Sequence, residues 1–328
     1  MWRIVKLSIE GVKQRFIRSE IFQLNSEQKS MSNIAVFGLG AMGYGMAASI
    51  LQAGHITHGY DISVAPVTRF QADGGAAGKA SEVAPTLDAV VVVVLNAEQT
   101  EAVLFSAQGI VPHLRPGAVV LACATVPPEF ARDMEARCAE YGVHYLDAPI
   151  SGGAAKAAQG KLSVMAAGPD AAFEAARPVL DAIAETVFNL GDAVGSGSAM
   201  KAVNQLLAGV HIATMAEALT FGMTQGVTPE KFVEVISKCA GTSWMLENRA
   251  PHIVDGDYTP LSSINIWPKD LGIVLDIARS EQFSAPITAA ALQQFLAAAG
   301  MGLGNEDDAA VAKVYARNAR LTLPGEDG

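Results

Sequence analysis

Between residues 33 and 191 the sequence alternates short runs rich in β-branched residues with stretches of helical character. The most apolar run, AVVVVVL at 89–95, contains no polar residue that would mark a solvent-facing side. Short apolar strands separated by helices are typical of βαβ units, in which helices cover both faces of a parallel sheet. The alternation therefore predicts an α/β fold. The strands are predicted at 33–38, 58–61, 87–95, 117–124, 143–149, 161–168 and 186–191.

The strand pattern stops after Gly191, and from residue 196 to the C-terminus the sequence has helical character only. We therefore predict one domain over residues 31–194 and an all-α domain over residues 195–328. Residues 1–30 differ from both, because they carry six Lys or Arg against three Glu and lack the continuous apolar core of a signal peptide. We interpret them as a dispensable leader, with a partner-binding arm as the alternative.

Charge and composition exclude several classes of partner. The formal net charge of −10 argues against nucleic acid or an anionic membrane surface as a ligand. No continuous apolar run reaches the ~18 residues that a membrane span requires. Cys123, Cys138 and Cys239 form neither a disulfide framework nor a metal-ligand spacing, which fits a reducing cytoplasm. The six histidines are scattered, so no metal site is expected.

A glycine-rich turn follows the first predicted strand. In GLGAMG, the three glycines of a G-x-G-x-x-G pattern precede a helix, and Asp61 closes the second strand 23 residues after the first glycine. Such a turn lets backbone approach a pyrophosphate at a helix N-terminus, and the acid accepts the ribose hydroxyls of NAD and repels the 2′-phosphate of NADP. This predicts NAD binding by a Rossmann-type doubly wound, mostly parallel sheet followed by an all-α C-terminal domain. The expected cofactor contacts are Gly38, Leu39, Gly40, Ala41, Met42, Gly43 and Asp61.

Two further features have two interpretations each. Lys201 is the single cation of the long apolar stretch 195–219, where it is either a lysine with a buried ammonium or one that snorkels its charge to water. On that stretch alone snorkelling is the simpler interpretation. Ser151, Gly152 and Gly153 follow a predicted strand, where they form either a carboxylate-binding turn or an ordinary glycine turn.

Four separated motifs resemble those of the β-hydroxyacid dehydrogenases, the family of 3-hydroxyisobutyrate dehydrogenase and tartronate semialdehyde reductase. They are GLGAMG, DAPISGGAAKAAQGKL, GSGSAMKAVNQLL and WPKDLG, and the resemblance covers about residues 33–320. It implies that Lys201 is the catalytic acid/base and that the Ser151-Gly152-Gly153 turn binds the substrate carboxylate. It also implies that Lys269 lies near the nicotinamide and the substrate, and that Thr125 lies beside the cofactor.

The sequence departs from the family pattern at two places that face the substrate. Gln205 replaces the second asparagine of the usual Asn-Asn pair, of which Asn204 is kept, and Asn96 replaces the usual proline after the third strand. Asn204 and Gln205 share a helical face with Lys201 and are expected to bind substrate. With the polar segment 247–249, these side chains offer hydrogen bonds to a substrate that carries several hydroxyls.

Three segments of the helical half are NQLLAGVHIATMAEAL (204–219), AGTSWMLENRAPHIVDGDYTP (240–260) and GNEDDAAV (304–311). They resemble a branch of the family that oxidises four-carbon sugar acids such as L-threonate. The expected reaction is therefore the NAD-dependent oxidation of the C2 hydroxyl of such an acid. Alternatives are reduction of tartronate semialdehyde, oxidation of 3-hydroxyisobutyrate, and a non-catalytic dinucleotide-binding module. Because charge is nearly absent between residues 196 and 225, we also expect a homo-oligomer, a dimer or a tetramer, with this stretch in its interface.

Overall fold

The structure is a computed structural model that describes residues 31–326. The predicted leader, residues 1–30, lies outside the described residues. Five strands form one parallel sheet: β1 (Asn33–Phe37), β2 (Ile56–Tyr60), β3 (Ala89–Val92), β4 (Val119–Ala122) and β5 (His144–Asp147). Their spatial order is β2-β1-β3-β4-β5, and every neighbouring pair is parallel. The predicted α/β class is confirmed.

Helices cover both faces of this sheet, which explains why its central strands are apolar throughout. The helices between its strands and after it are α1 (Gly43–Gln52), α2 (Val64–Ala72), α3 (Ala80–Val83), α4 (Ala97–Phe105), α5 (Pro128–Ala139), α6 (Gly153–Ala158) and α7 (Asp170–Ile183). Successive residues of a strand point to opposite faces. Val91 accordingly packs in a cluster with α1 and α7, whereas Val90 and Val92 pack in a second cluster with α4 and α5.

Two of the predicted strands belong to a second, smaller sheet instead of the parallel one. It consists of β6 (Ile150–Ser151), β7 (Leu162–Ala166) and β8 (Ala184–Asn189), with β6 and β7 antiparallel and β7 and β8 parallel. A single antiparallel bridge between Asp147 and Ala167 connects the two sheets. Periodicity identified these segments as strands, but it carries no information on which sheet they join.

From Ser196 onward the described chain is helical. The helices are α8 (Ser196–Thr224), α9 (Pro229–Ile236), α10 (Trp244–Asp255), α11 (Ile266–Ser280), α12 (Pro286–Ala298) and α13 (Ala312–Ala319). Helix α8 is central, because α9 to α13 all pack against it around a third apolar cluster. The residues from Ser32 onward form one compact unit, so the domain boundary at residue 195 stays a prediction.

Helix α8 is the one described helix that is long and apolar enough to cross a membrane by length and composition. The central helix of a globular protein has the same properties. Its packing against five helices and the polar contacts of its first three turns, described below, favour that second interpretation.

Candidate active site

The glycine turn lies where the carboxyl end of β1 meets α1. Gly38 has a φ of +96°, and a Cβ built on it would lie 2.2 Å from the carbonyl oxygen of Val93. A Cβ on Gly43 would lie 1.8 Å from the Gly38 oxygen, so neither position accepts a side chain. Around Gly40, by contrast, a Cβ would meet no atom within 4 Å. The turn therefore leaves open space above bare backbone, which fits a pyrophosphate.

Asp61 holds this turn through its carboxylate. Its Oδ2 accepts a hydrogen bond from the backbone N–H of Leu39 at 2.7 Å, and its Oδ1 accepts one from Ser63 at 2.8 Å. Each carboxylate oxygen can accept a further bond, so the half-buried group remains available to ribose hydroxyls. The carboxylate thus both orders the start of α2 and presents a negative charge beside the glycine turn.

Lys201 lies one turn into α8 with its ammonium out of solvent. The residue is 8% exposed, and its Nζ donates a hydrogen bond of 2.9 Å to the carbonyl oxygen of Ile150. Burial lowers its pKa to about 8; the carboxylate of Asp270 raises the value and the ammonium of Lys269 lowers it. Ile150 immediately precedes Ser151, so Lys201 lies against the predicted carboxylate-binding turn. The snorkelling interpretation is wrong, because the charged head is buried.

The predicted turn itself has the backbone of a glycine-dependent loop. Ser151 ends β6, and the two residues that follow, Gly152 and Gly153, have φ values of +135° and +77°. All three are at least partly exposed, and a Cβ built on Gly153 would meet no atom within 4 Å. Thr125 is half-buried in the loop that connects β4 to α5, at the same carboxyl edge of the parallel sheet as the glycine turn.

Asp147 fixes the start of α8 and was missed from the sequence. Its buried Oδ2 accepts hydrogen bonds from the N–H groups of Gly195 at 3.0 Å and Ser198 at 2.8 Å, and its Oδ1 accepts one from the Ser198 hydroxyl at 2.7 Å. Burial raises the pKa of Asp147, and these hydrogen bonds oppose that rise. Gly197 packs closely here, since its Cβ would lie 2.5 Å from the oxygen of Met165. A carboxylate at a helix N-terminus is electrostatically favourable. Because Asp147 binds the first turn of α8, it helps to position Lys201 in the next turn.

A second buried acid, Asp270, was also missed, although it follows Lys269 directly. The Nζ of Lys269 lies 2.7 Å from Asp270 Oδ1, an ion pair without hydrogen-bond geometry at that oxygen. The same ammonium donates a bond of 2.7 Å to the carbonyl oxygen of Leu95, just after β3. Asp270 Oδ2 accepts a bond of 2.5 Å from Gln205, whose oxygen accepts one of 2.9 Å from Asn204.

Several residues expected near the substrate are engaged elsewhere. The side chain of Asn96 caps α4 by accepting a bond of 2.9 Å from the N–H of Gln99. Within the segment 247–249, Arg249 is buried and donates to Asp308 at 2.5 Å. These contacts stabilise the helices and their core. Among the described residues, Asn204, three positions after Lys201 on α8, keeps a side-chain oxygen that accepts no hydrogen bond.

Comparisons with known proteins show the family to which the chain belongs. The model of the NAD-binding domain of 6-phosphogluconate dehydrogenase matches residues 33–191, and that of the NAD-binding region of NADP-dependent 3-hydroxyisobutyrate dehydrogenase matches residues 195–315. The L-threonate dehydrogenase of Cupriavidus necator is 50% identical over 295 residues, which cover 90% of this chain and 98% of the relative. The L-threonate dehydrogenase of Pectobacterium atrosepticum is 45% identical over 293 residues, which cover 89% of this chain and 95% of the relative. A crystal structure of 3-hydroxyisobutyrate dehydrogenase from Salmonella typhimurium is 44% identical, with a TM-score of 0.82 over 86% of this chain and 99% of that one.

Proposed function

Because the chain belongs to the β-hydroxyacid dehydrogenase family, with relatives named L-threonate dehydrogenase at 42–50% identity, we propose that it oxidises L-threonate with NAD. The products are 2-oxo-tetronate (2-dehydro-L-erythronate), NADH and a proton. The observation that carries the mechanism is the buried ammonium of Lys201, 2.9 Å from Ile150 O and beside the Ser151 turn, with a pKa of about 8.

The residues around the glycine turn are proposed to hold the cofactor. Gly38 to Gly43 surround its pyrophosphate and Asp61 accepts the ribose hydroxyls, which favours NAD over NADP. Thr125 and Lys269 lie along the same edge of the sheet and are proposed to contact the nicotinamide end. NAD, when bound, supplies the acceptor for the hydride that leaves C2 of the substrate.

Lys201 is proposed to move the proton. As the neutral amine it accepts the proton of the C2 hydroxyl, and in the reverse direction its ammonium donates that proton to the carbonyl oxygen. General acid/base help of this kind contributes about 10²- to 10⁴-fold to rate. A pKa near 8 leaves a useful share of both protonation states near neutral pH. The substrate carboxylate is proposed to bind the Ser151-Gly152-Gly153 turn, beside the lysine.

A substrate panel tests the proposal. Purified protein is mixed with NAD and L-threonate, D-erythronate or 3-hydroxyisobutyrate, and with NADH and tartronate semialdehyde for the reverse reaction, while NADH absorbance is followed. We expect the highest kcat/KM for L-threonate. A higher kcat/KM for 3-hydroxyisobutyrate or tartronate semialdehyde would assign the chain to another member of the family.

We further propose that the enzyme is a homo-oligomer, a dimer or a tetramer, and works in the cytoplasm. Helix α8 exposes four apolar side chains, those of Met200, Val203, Leu207 and Phe221. Their successive spacings of three, four and fourteen residues place them on one side of the helix. A second copy would bury such a stripe. The cytoplasm fits an enzyme whose three cysteines are all free thiols.

A further inference from the structure

Four side chains form a chain of contacts from a charged pair to the substrate face of α8. The ammonium of Lys269 pairs with the Asp270 carboxylate at 2.7 Å, Asp270 accepts from Gln205 Nε2 at 2.5 Å, and Gln205 Oε1 accepts from Asn204 Nδ2 at 2.9 Å. Asp270 is 2% exposed and Gln205 is 8% exposed, so water has little access to the contact between these two side chains. Within residues 31–326, Asn204 Oδ1 accepts no hydrogen bond.

The charge on Asp270 determines how both amides are turned. A carboxylate beside an ammonium only accepts hydrogen bonds, so the group of Gln205 that faces it must be the NH₂. The oxygen of Gln205 then faces Asn204, and the NH₂ of Asn204 must face that oxygen. Because an unpaired buried amide costs about 1–3 kcal/mol, the reversed orientations are disfavoured. The oxygen of Asn204 is therefore left as an acceptor on the face of α8 that carries Lys201.

The extra methylene of Gln205 explains why its amide hydrogen-bonds to other side chains of the protein and is not free for a substrate. The side chain bridges two partners, Asp270 on α11 and Asn204 on its own helix. Both ends of its amide are thereby occupied. The residue that is free to receive a substrate group is instead Asn204, three positions after Lys201 and one turn along the same helical face.

We propose that Asn204 Oδ1 is a specificity-determining acceptor for a substrate hydroxyl other than the one oxidised, and that Gln205 and Asp270 are positioning residues that hold it. This rests on the proposed function, since it requires a polyhydroxy acid as substrate. A substrate hydroxyl donates to this oxygen, whereas an acid with a methyl or methylene group there leaves the oxygen without a partner. A site built to bond a hydroxyl rejects analogues that lack it far more strongly than it rejects a change of size.

The test compares two four-carbon acids of the same C2 configuration, L-threonate and the corresponding 2-hydroxybutyrate, which lacks the hydroxyls at C3 and C4. Asn204→Ala should lower kcat/KM for L-threonate by about 30-fold or more and change that for 2-hydroxybutyrate less than about threefold. Gln205→Leu keeps the size of the side chain but removes the amide that holds Asn204 in place. It should lower the ratio of kcat/KM for L-threonate to that for 2-hydroxybutyrate by about fivefold or more. The KM for NAD should stay unchanged in both variants.

Gln225→Ala is the matched control, because Gln225 is an exposed amide at the far end of the same helix. It should leave the ratio and both activities unchanged. Equal loss on the two acids in Asn204→Ala, with NAD binding intact, would mean that Asn204 only supports the fold, and it would overturn the proposal. An unchanged ratio would overturn it as well. If the wild-type protein does not oxidise L-threonate, the proposed function fails, and the ratio is measured with the preferred acid and its deoxy analogue.

Discussion

Replacing Lys201 by methionine separates the chemistry of its ammonium from the packing of its stem. Met keeps a side chain of similar length and removes the charge. Turnover should fall about 10²- to 10⁴-fold, because the group that transfers the proton is gone. NAD binding should change little, since the glycine turn and Asp61 lie on other elements. In the wild-type protein, kcat/KM for oxidation should rise with pH up to about pH 8, as Lys201 loses its proton.

The same variant has a calculable effect on stability. A fall of the pKa from 10.5 to about 8 corresponds to about 3 kcal/mol by which burial and the charges of Asp270 and Lys269 together disfavour the ammonium in the folded protein. Loss of the hydrogen bond to Ile150 O costs about 1 kcal/mol. Lys201→Met should therefore be more stable at pH 7 by roughly 2 kcal/mol, and Lys201→Ala should at least hold its stability.

The sign of the pH dependence follows from proton linkage. Below pH 8 the lysine is charged in both states and the wild-type protein carries the full penalty. Between pH 8 and 10.5 the folded protein releases the proton while the unfolded chain keeps it, so wild-type stability rises relative to the variant. Urea unfolding of both proteins at pH 7 and pH 9.5 measures the difference, with Lys238→Met, an exposed site, as the control. If Lys201→Met kept its turnover and lost stability, the reasoning would be refuted, because Lys201 would then contribute packing and not proton transfer.

Three further predictions concern other parts of the molecule. NAD should be preferred to NADP by about tenfold or more in kcat/KM, or 1.4 kcal/mol, and Asp61→Ala should abolish the preference; equal use of both cofactors by the wild-type protein would contradict the role of Asp61. Asp147→Asn should destabilise the protein by about 1–3 kcal/mol and lower turnover more than the KM for NAD, as read by urea unfolding and initial rates, whereas Ser198→Ala should cost less. Light scattering at micromolar concentration should give a multiple of the 34.2 kDa chain mass, and Leu207→Glu should shift it towards one copy; a monomeric wild-type protein would rule out the oligomer.

The family and much of the site could be predicted because they depend on residues close together in the sequence. The glycine turn needs only the strand before it and the helix after it, so the spacing of Gly38, Gly40 and Gly43 was sufficient to identify it. Asp61 ends the next strand and was found in the same way. For Lys201, the residues alone left two interpretations open, and the resemblance to a family indicated the catalytic one. That the ammonium of Lys201 is buried was seen only in the folded structure.

What the sequence by itself determined is the order of strands and helices, the α/β class and the types of group available for chemistry. Only the tertiary structure decided which strands share a sheet, and that the carboxylate of Asp147, the last residue of β5, caps a helix that begins about 50 residues later. It also decided that the Gln205 amide donates to Asp270, 65 positions away, while the side-chain oxygen of Asn204 stays available as an acceptor. The physical reason is that hydrogen bonds and burial depend on distances in space, whereas periodicity and motif spacing report only the backbone near each residue.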